Sequence, residues 1–169
     1  MQKTLSEKGF KMILENSHSS PDEEKEILKM AALNQVAGVI TMSYSDIYNV
    51  TNFSKYSNLV SIERYVSPDV PLISSDNLAG GELAAKKLLE MKKKRILLLR
   101  RDTNHYNATD LRAKAFKEYM QKRHIIVDEF SASLQASYRQ EIYTYLKNNL
   151  LTKKYDGIFA VTDEYGLIA

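Results

Sequence analysis

The feature that most constrains this chain is a regular change of period along it. Short apolar runs that read as strands are separated by segments of 10–15 residues with apolar positions at helical spacing. "VAGVITMSY" (36–44) and "RILLLR" (95–100) lack the apolar–polar alternation of a half-solvated strand. They predict strands buried on both faces of a parallel sheet. Strands are also predicted at "FKMILEN" (10–16), "NLVSIERY" (58–65), "VPLISSD" (70–76), "HIIVDEF" (124–130) and "DGIFAVT" (156–162). Strands alternating with helices mean an α/β architecture with parallel sheets.

Helix boundaries carry their own signals. Residues 1–8 read as the end of a helix closed by Gly9. Ser20, Pro21 and Glu23 look like an N-cap, a first helical residue and the distal half of a capping box. Ile27, Leu28, Ala31 and Ala32 then predict the buried stripe of that helix. Leu83, Ala84, Leu88 and Met91 give helical spacing after Gly80 and Gly81. Helices are predicted over 109–123 and 138–151, and another begins near 163.

Composition narrows the class. With 169 residues, 44% hydrophobic and 27% charged, the chain can bury a core as one domain or two small lobes. The formal charge of +3 lacks the density of a dedicated nucleic-acid binder. There are no cysteines, which excludes a disulfide framework and a thiolate metal site. No apolar run approaches the roughly 20 residues of a membrane span. The opening "MQKTLSEKGF" lacks the apolar core of a signal peptide. A soluble, cytoplasmic protein with no membrane partner is the expectation.

In open parallel sheets ligands sit beyond the carboxyl ends of the strands. The polar residues there are Ser43, Tyr44 and Asp46; Glu63 and Arg64; Asp76 and Asn77; Arg101, Asp102, Asn104, His105 and Asn107; and Thr162 with Asp163. Hydroxyls, amides, acids, arginines and tyrosines together suit a neutral polyhydroxylated ligand, each of whose hydroxyls wants a donor and an acceptor. A plainer reading stands beside each. Asp76 and Asn77 can cap the helix that follows, and Gly80-Gly81 can simply let it pack close to the sheet. Arg112 can be a solvated helix residue, and Lys92 to Arg95 a solvated loop. His18, His105 and His124 lack metal-ligand spacing. No nucleophile elbow, phosphate loop or dinucleotide fingerprint occurs, so neither an enzyme nor a cofactor is predicted.

Five motifs in order resemble the effector-binding core of LacI/GalR-family transcription regulators. "GVITMSY" resembles the family's "DGIIL" strand, and "VSIERY" its "vvxIDR", with Glu63 for the aspartate and Arg64 retained. "PLISSDNLAGGELAAKKLLEMKKKRILLL" is similar to "VxxDNxxGGxxAxxxLxxxGHxxIxxL", keeping Asp76, Asn77, Gly80, Gly81, Ala84 and Leu88. Lysines stand where that motif has glycine and histidine. "LRAKAF" resembles "RxxGF", with Arg112 and Phe116 kept and Ala115 for the glycine. "YDGIFAVTDEYGLIA" is similar to "PDAIFAxNDxxAxGA", with Asp163 in place and Thr162 for the asparagine.

The resemblance implies two periplasmic-binding-protein-like lobes, 1–75 and 76–169, both incomplete, with parallel sheets flanked by helices. A small effector, a sugar or sugar derivative, would bind in the cleft between them. It implies a repressor-type regulator that forms a homodimer and reads operator DNA only through an amino-terminal helix-turn-helix absent here. By the same resemblance Arg112, Thr162 and Asp163 would contact effector, joined by Tyr44 and Asn107 from their places beyond strand ends, and Asp76, Asn77, Gly80 and Gly81 would mark the crossover between lobes. A first strand, central between 10–16 and 36–44, is expected to be missing, leaving its two neighbours without ladders. The alternative is a periplasmic or extracellular sugar-binding protein serving a transporter, which shares the fold.

Overall fold

Ile96-Leu97-Leu98-Leu99 is an uninterrupted apolar run, and in the computed structural model all four side chains are at most 1% exposed. They form β4 (Ile96–Arg101), the middle strand of a parallel sheet. β5 (Val127–Ala132) pairs on one side and β6 (Gly157–Ala160) on the other, giving the order β5-β4-β6. Successive side chains of a strand point to opposite faces. Leu97 and Leu99 therefore meet Tyr138, Ile142 and Leu146 of α5 (Tyr138–Asn149). On the other face, Ile96 meets Ala85, Phe116 and Met120, and Leu98 meets Ala113. These belong to α3 (Asn77–Glu90) and α4 (Ala108–Gln121). Burying each such leucine contributes about 1.5–3 kcal/mol, so β4 anchors three layers.

The structure describes residues 1–18, 20–42, 58–102, 108–133 and 135–169. They divide into two compact units, Met1–Ile73 and Ser74–Ala169. The sheet above belongs to the second unit, which ends in the short α6 (Asp163–Gly166).

The start of α3 differs from the expectation. Asp76 is its N-cap, accepting the Ala79 N–H at 2.9 Å, so Gly80 and Gly81 lie inside the helix rather than before it. The close neighbour of Gly81 is α4 and not the sheet. A Cβ on Gly81 would fall 2.3 Å from the Arg112 carbonyl oxygen and 3.1 Å from the Ala115 Cβ. Gly80 faces open space. The strand predicted over 124–130 starts at Val127, because α4 exits through a turn with His124 at φ +57°.

In the first unit, α1 (Gln2–Glu7) closes as predicted. Gly9 has φ +80°, and the Phe10 N–H reaches the Leu5 oxygen at 2.9 Å. α2 (Pro21–Leu33) is capped by Ser20, whose Oγ accepts the Glu23 N–H at 3.3 Å. The reciprocal half of a capping box is missing, since Glu23 bonds the His18 Nδ1 at 3.0 Å instead. A parallel sheet runs β1 (Val39–Thr41), β2 (Leu59–Ile62), β3 (Leu72–Ile73). Val39 lies opposite Leu59, and Ser61 opposite Leu72.

Three expectations fail in this unit for one reason: a run becomes buried only if something covers it. Residues 10–16 form no strand, and Ile13 and Leu14 are exposed. They have no ladder partner among the described residues, and alternation alone does not hold backbone groups. β1 is an edge strand with Ile40 half exposed, not a strand buried on both faces. In α2 only Leu28 of the predicted stripe is fully buried, and Ala32 is exposed. The core here is Leu28 and Leu59, with Val39 and Val70 against them.

Candidate functional site

Because β4, β5 and β6 run parallel, their carboxyl ends open on one edge of the second unit, beside the start of α3. Arg112 organises that edge. It sits on the second turn of α4, and its Nε donates to the Asn77 Oδ1 at 2.5 Å. Its Nη1 donates to the Val161 carbonyl at 2.9 Å. Asn77, only 3% exposed, donates its own amide to the Ser75 carbonyl at 2.9 Å. One guanidinium thus ties α3, α4 and the exit of β6 together. A solvated helix arginine, the plainer reading, does not describe it. Asp76 is the cap of α3, whereas Asn77 is held by Arg112 as well as by its own turn.

Thr162 follows Val161 directly and is the N-cap of α6 in extended backbone (φ −135°, ψ 155°). Its side chain makes no capping bond. Its Oγ1 is buried and finds no hydrogen-bond partner among the described residues. An unsatisfied buried hydroxyl costs about 1–3 kcal/mol, so such a group calls for a reason. Asp163, the first residue of α6, is exposed. The structure therefore brings Asn77, Arg112 and Thr162 together around one strand exit. Tyr44 and Asn107, with Ser43, Asp46, Asn104 and His105, lie outside the described residues.

A second polar group on this edge includes residues that sequence reasoning missed. Arg101, at the end of β4, donates to the Ser133 carbonyl at 2.8 Å and lies over the Tyr138 ring, 4.4 Å from its centre. The Tyr138 hydroxyl donates to Glu164, which also takes the Arg139 Nη2 at 2.7 Å. Bonding to the Tyr138 hydroxyl first, and to Arg139 next, holds the Glu164 carboxyl below its usual range. Glu141 is held below its range too, chiefly by the Ser133 hydroxyl and then by the Ser133 N–H. Only Arg101 among these carried a positional signal, as a polar residue at a strand end. Tyr138, Glu141 and Glu164 sit in first helical turns, where acids are explained by the helix dipole.

At the corresponding edge of the first unit, Glu63 adopts φ +58° and donates its N–H to the Ile73 carbonyl at 2.9 Å. Among the described residues no group of three potential ligands is arranged to hold a metal ion. No helix among them is long and apolar enough to cross a membrane.

Parallel sheets flanked by helices, with amide, hydroxyl, guanidinium and phenol groups at the strand exits, define an α/β protein of the periplasmic-binding-protein-like class. The chain belongs to the family of periplasmic binding proteins and sugar binding domains of the LacI family, whose model matches residues 1–158. It is 32% identical over 157 residues to a sucrose operon repressor of Streptococcus mutans, covering 92% of this chain and 47% of that protein. It is 28% identical over 159 residues to a ribose operon repressor of Halalkalibacterium halodurans, covering 92% of this chain and 46% of that one. The chain thus spans about half the length of the curated relatives it matches. Among solved structures, a periplasmic binding protein/LacI transcriptional regulator from Alkaliphilus metalliredigens, complexed with D-xylulofuranose, superimposes with a TM-score of 0.78. That pair is 25% identical over 99% of this chain and 61% of the other. These relatives are named as regulators, not enzymes, in accord with the missing catalytic motifs.

Proposed function

We propose that this chain is the effector-binding part of a repressor-type transcription regulator, and that its effector is a sugar or sugar derivative. The chain would comprise two lobes, 1–75 and 76–169, dividing within two residues of the two compact units, and the whole protein would be a cytoplasmic homodimer. It would contact operator DNA through a separate amino-terminal helix-turn-helix. Effector would alter repression by binding one arrangement of the protein better than another.

The observation that carries this reading is the buried, unpartnered Thr162 hydroxyl one residue beyond the Val161 carbonyl that Arg112 grips. A sugar hydroxyl both donates and accepts, so it can satisfy that Oγ1. Family membership and the sugar named in the D-xylulofuranose complex support the ligand class. The contacts assigned to Tyr44, Asn107 and Asp163 belong to the same proposal.

Thermal-shift screening against sucrose, ribose, phosphosugars and purines tests it. A sugar or phosphosugar is expected to raise the melting temperature, and Arg112→Ala and Thr162→Val to abolish that rise. A response to purines alone, or a sugar response unchanged in Thr162→Val, overturns the reading.

A further inference from the structure

The opposite end of the second unit, where the strands begin, has a character of its own. The chain reaches it on leaving α3, α4 and α5, and all three exits use the same turn. The Lys93 N–H bonds the Leu88 carbonyl at 3.0 Å, Ile125 bonds Met120 at 3.1 Å, and Tyr155 bonds Leu150 at 3.3 Å. The preceding residue in each turn is left-handed: Lys92 at φ +58°, His124 at +57°, Lys154 at +52°. Glycine occupies that position at least cost. Each exit here carries a basic residue type instead.

Most of the basic side chains at this end pair with no carboxylate among the described residues, although Lys87 meets Glu90 at 3.6 Å and Lys153 meets Asp128 at 3.6 Å. Away from this end Lys117 pairs with Glu129 at 2.6 Å. Among the described residues no carboxylate lies within 4.0 Å of the charged groups of Lys92, Lys94, Arg95, Lys122 or Lys154. A third acid here, Asp156, is turned inward onto the backbone N–H groups of Lys94 at 3.0 Å and Arg95 at 2.8 Å. It fixes the loop while leaving the four basic side chains of 92–95 outside that bond. The helix dipole accounts for a cation at one exit, but not for one exposed large apolar side chain beside each of the three. These are Met91, Ile126 and Leu151, exposed by 54%, 81% and 85%. Strands lie about 4.8 Å apart, and the order β5-β4-β6 puts the three turns side by side.

We propose that this end of the second unit is a docking surface for an acidic protein segment that also carries apolar side chains. Protein interfaces combine apolar contacts with polar groups, and an exposed apolar side chain beside each of three basic turns matches that composition. A nucleic-acid backbone would use the cations and leave Met91, Ile126 and Leu151 in water.

The test is fluorescence anisotropy of the intact chain with three labelled probes. They are a peptide alternating glutamate and leucine, its counterpart with serine for leucine, and a short mixed-sequence duplex DNA. The glutamate–leucine peptide is expected to bind, and its Kd to rise about tenfold in K92E/K94E/K154E. Leu151→Ser is expected to weaken it severalfold without altering charge. K3E/K8E/K11E changes the net charge equally, but in the first unit, and should leave binding unchanged. Thermal melts confirm that each variant is folded. Equal binding of the serine peptide, tighter binding of the duplex, an equal loss in K3E/K8E/K11E, or no binding of the first peptide each overturns the proposal.

Discussion

Gly80 and Gly81 are neighbours in one helix, yet alanine at the two positions should act with opposite sign. In an exposed helix interior, glycine to alanine gains roughly 0.5–1 kcal/mol from the lower backbone entropy of the unfolded chain. Gly80 faces open space, so Gly80→Ala should be stabilising by about that amount. At Gly81 the new methyl would stand 2.3 Å from the Arg112 carbonyl oxygen, whereas ordinary contact needs roughly 3.5 Å. α4 must retreat by about 1 Å, and forced repacking of that kind costs about 1–3 kcal/mol. The retreat also pulls Arg112 from Asn77 and Val161, now bonded at 2.5 and 2.9 Å. Weakening one hydrogen bond to a charged group adds about 1.5 kcal/mol. Against the propensity gain, Gly81→Ala should lose about 3 kcal/mol, and the two variants should differ by about 3.5 kcal/mol. Urea unfolding followed by far-UV circular dichroism measures this. Tyrosine fluorescence is a second readout, since the chain has 11 tyrosines and no tryptophan. If Gly81→Ala proved as stable as Gly80→Ala, close α3–α4 contact would not be what excludes a side chain at residue 81.

Thr162→Val keeps the shape and removes the unpartnered hydroxyl, so without ligand it should be neutral or stabilise by about 1 kcal/mol in a thermal melt. Phe116→Ala should cost about 3–5 kcal/mol by denaturant titration, because Phe116 is fully buried and stacks on Phe159 at 4.4 Å. Glu164 is held below its ordinary range by Tyr138 first and then Arg139. A carboxylate depressed on folding adds stability above its unfolded pKa, about 4.3, and that stability disappears as pH falls through the folded value. The stability difference between the native chain and Glu164→Gln should therefore be largest at neutral pH and shrink below about pH 4; a difference independent of pH would exclude the Tyr138–Glu164–Arg139 group as its source.

Local chemistry determined much of this protein before any contact was known. The apolar run "RILLLR" called for cover on both faces and has it at the centre of a parallel sheet, whereas "VAGVITMSY" carried the same signal and formed an edge strand. Helix ends were equally local, as Gly9 and Ser20 act within a few residues of themselves. Family membership was visible because its motifs keep their order and spacing along the chain. What tertiary structure decided is what each residue faces. "FKMILEN" alternates as a strand does, yet stays unpaired because pairing is a property of two segments. Gly81 was visible as a glycine, but that α4, 31 residues further on, comes within 2.3 Å of its missing Cβ was not. Taken by itself Arg112 read as a solvated helix residue, and only the tertiary structure put Asn77 and Val161 within its reach. Periodicity tells a residue which side of its own element it occupies. It cannot say which distant element arrives there, and at this site that arrival sets the chemistry.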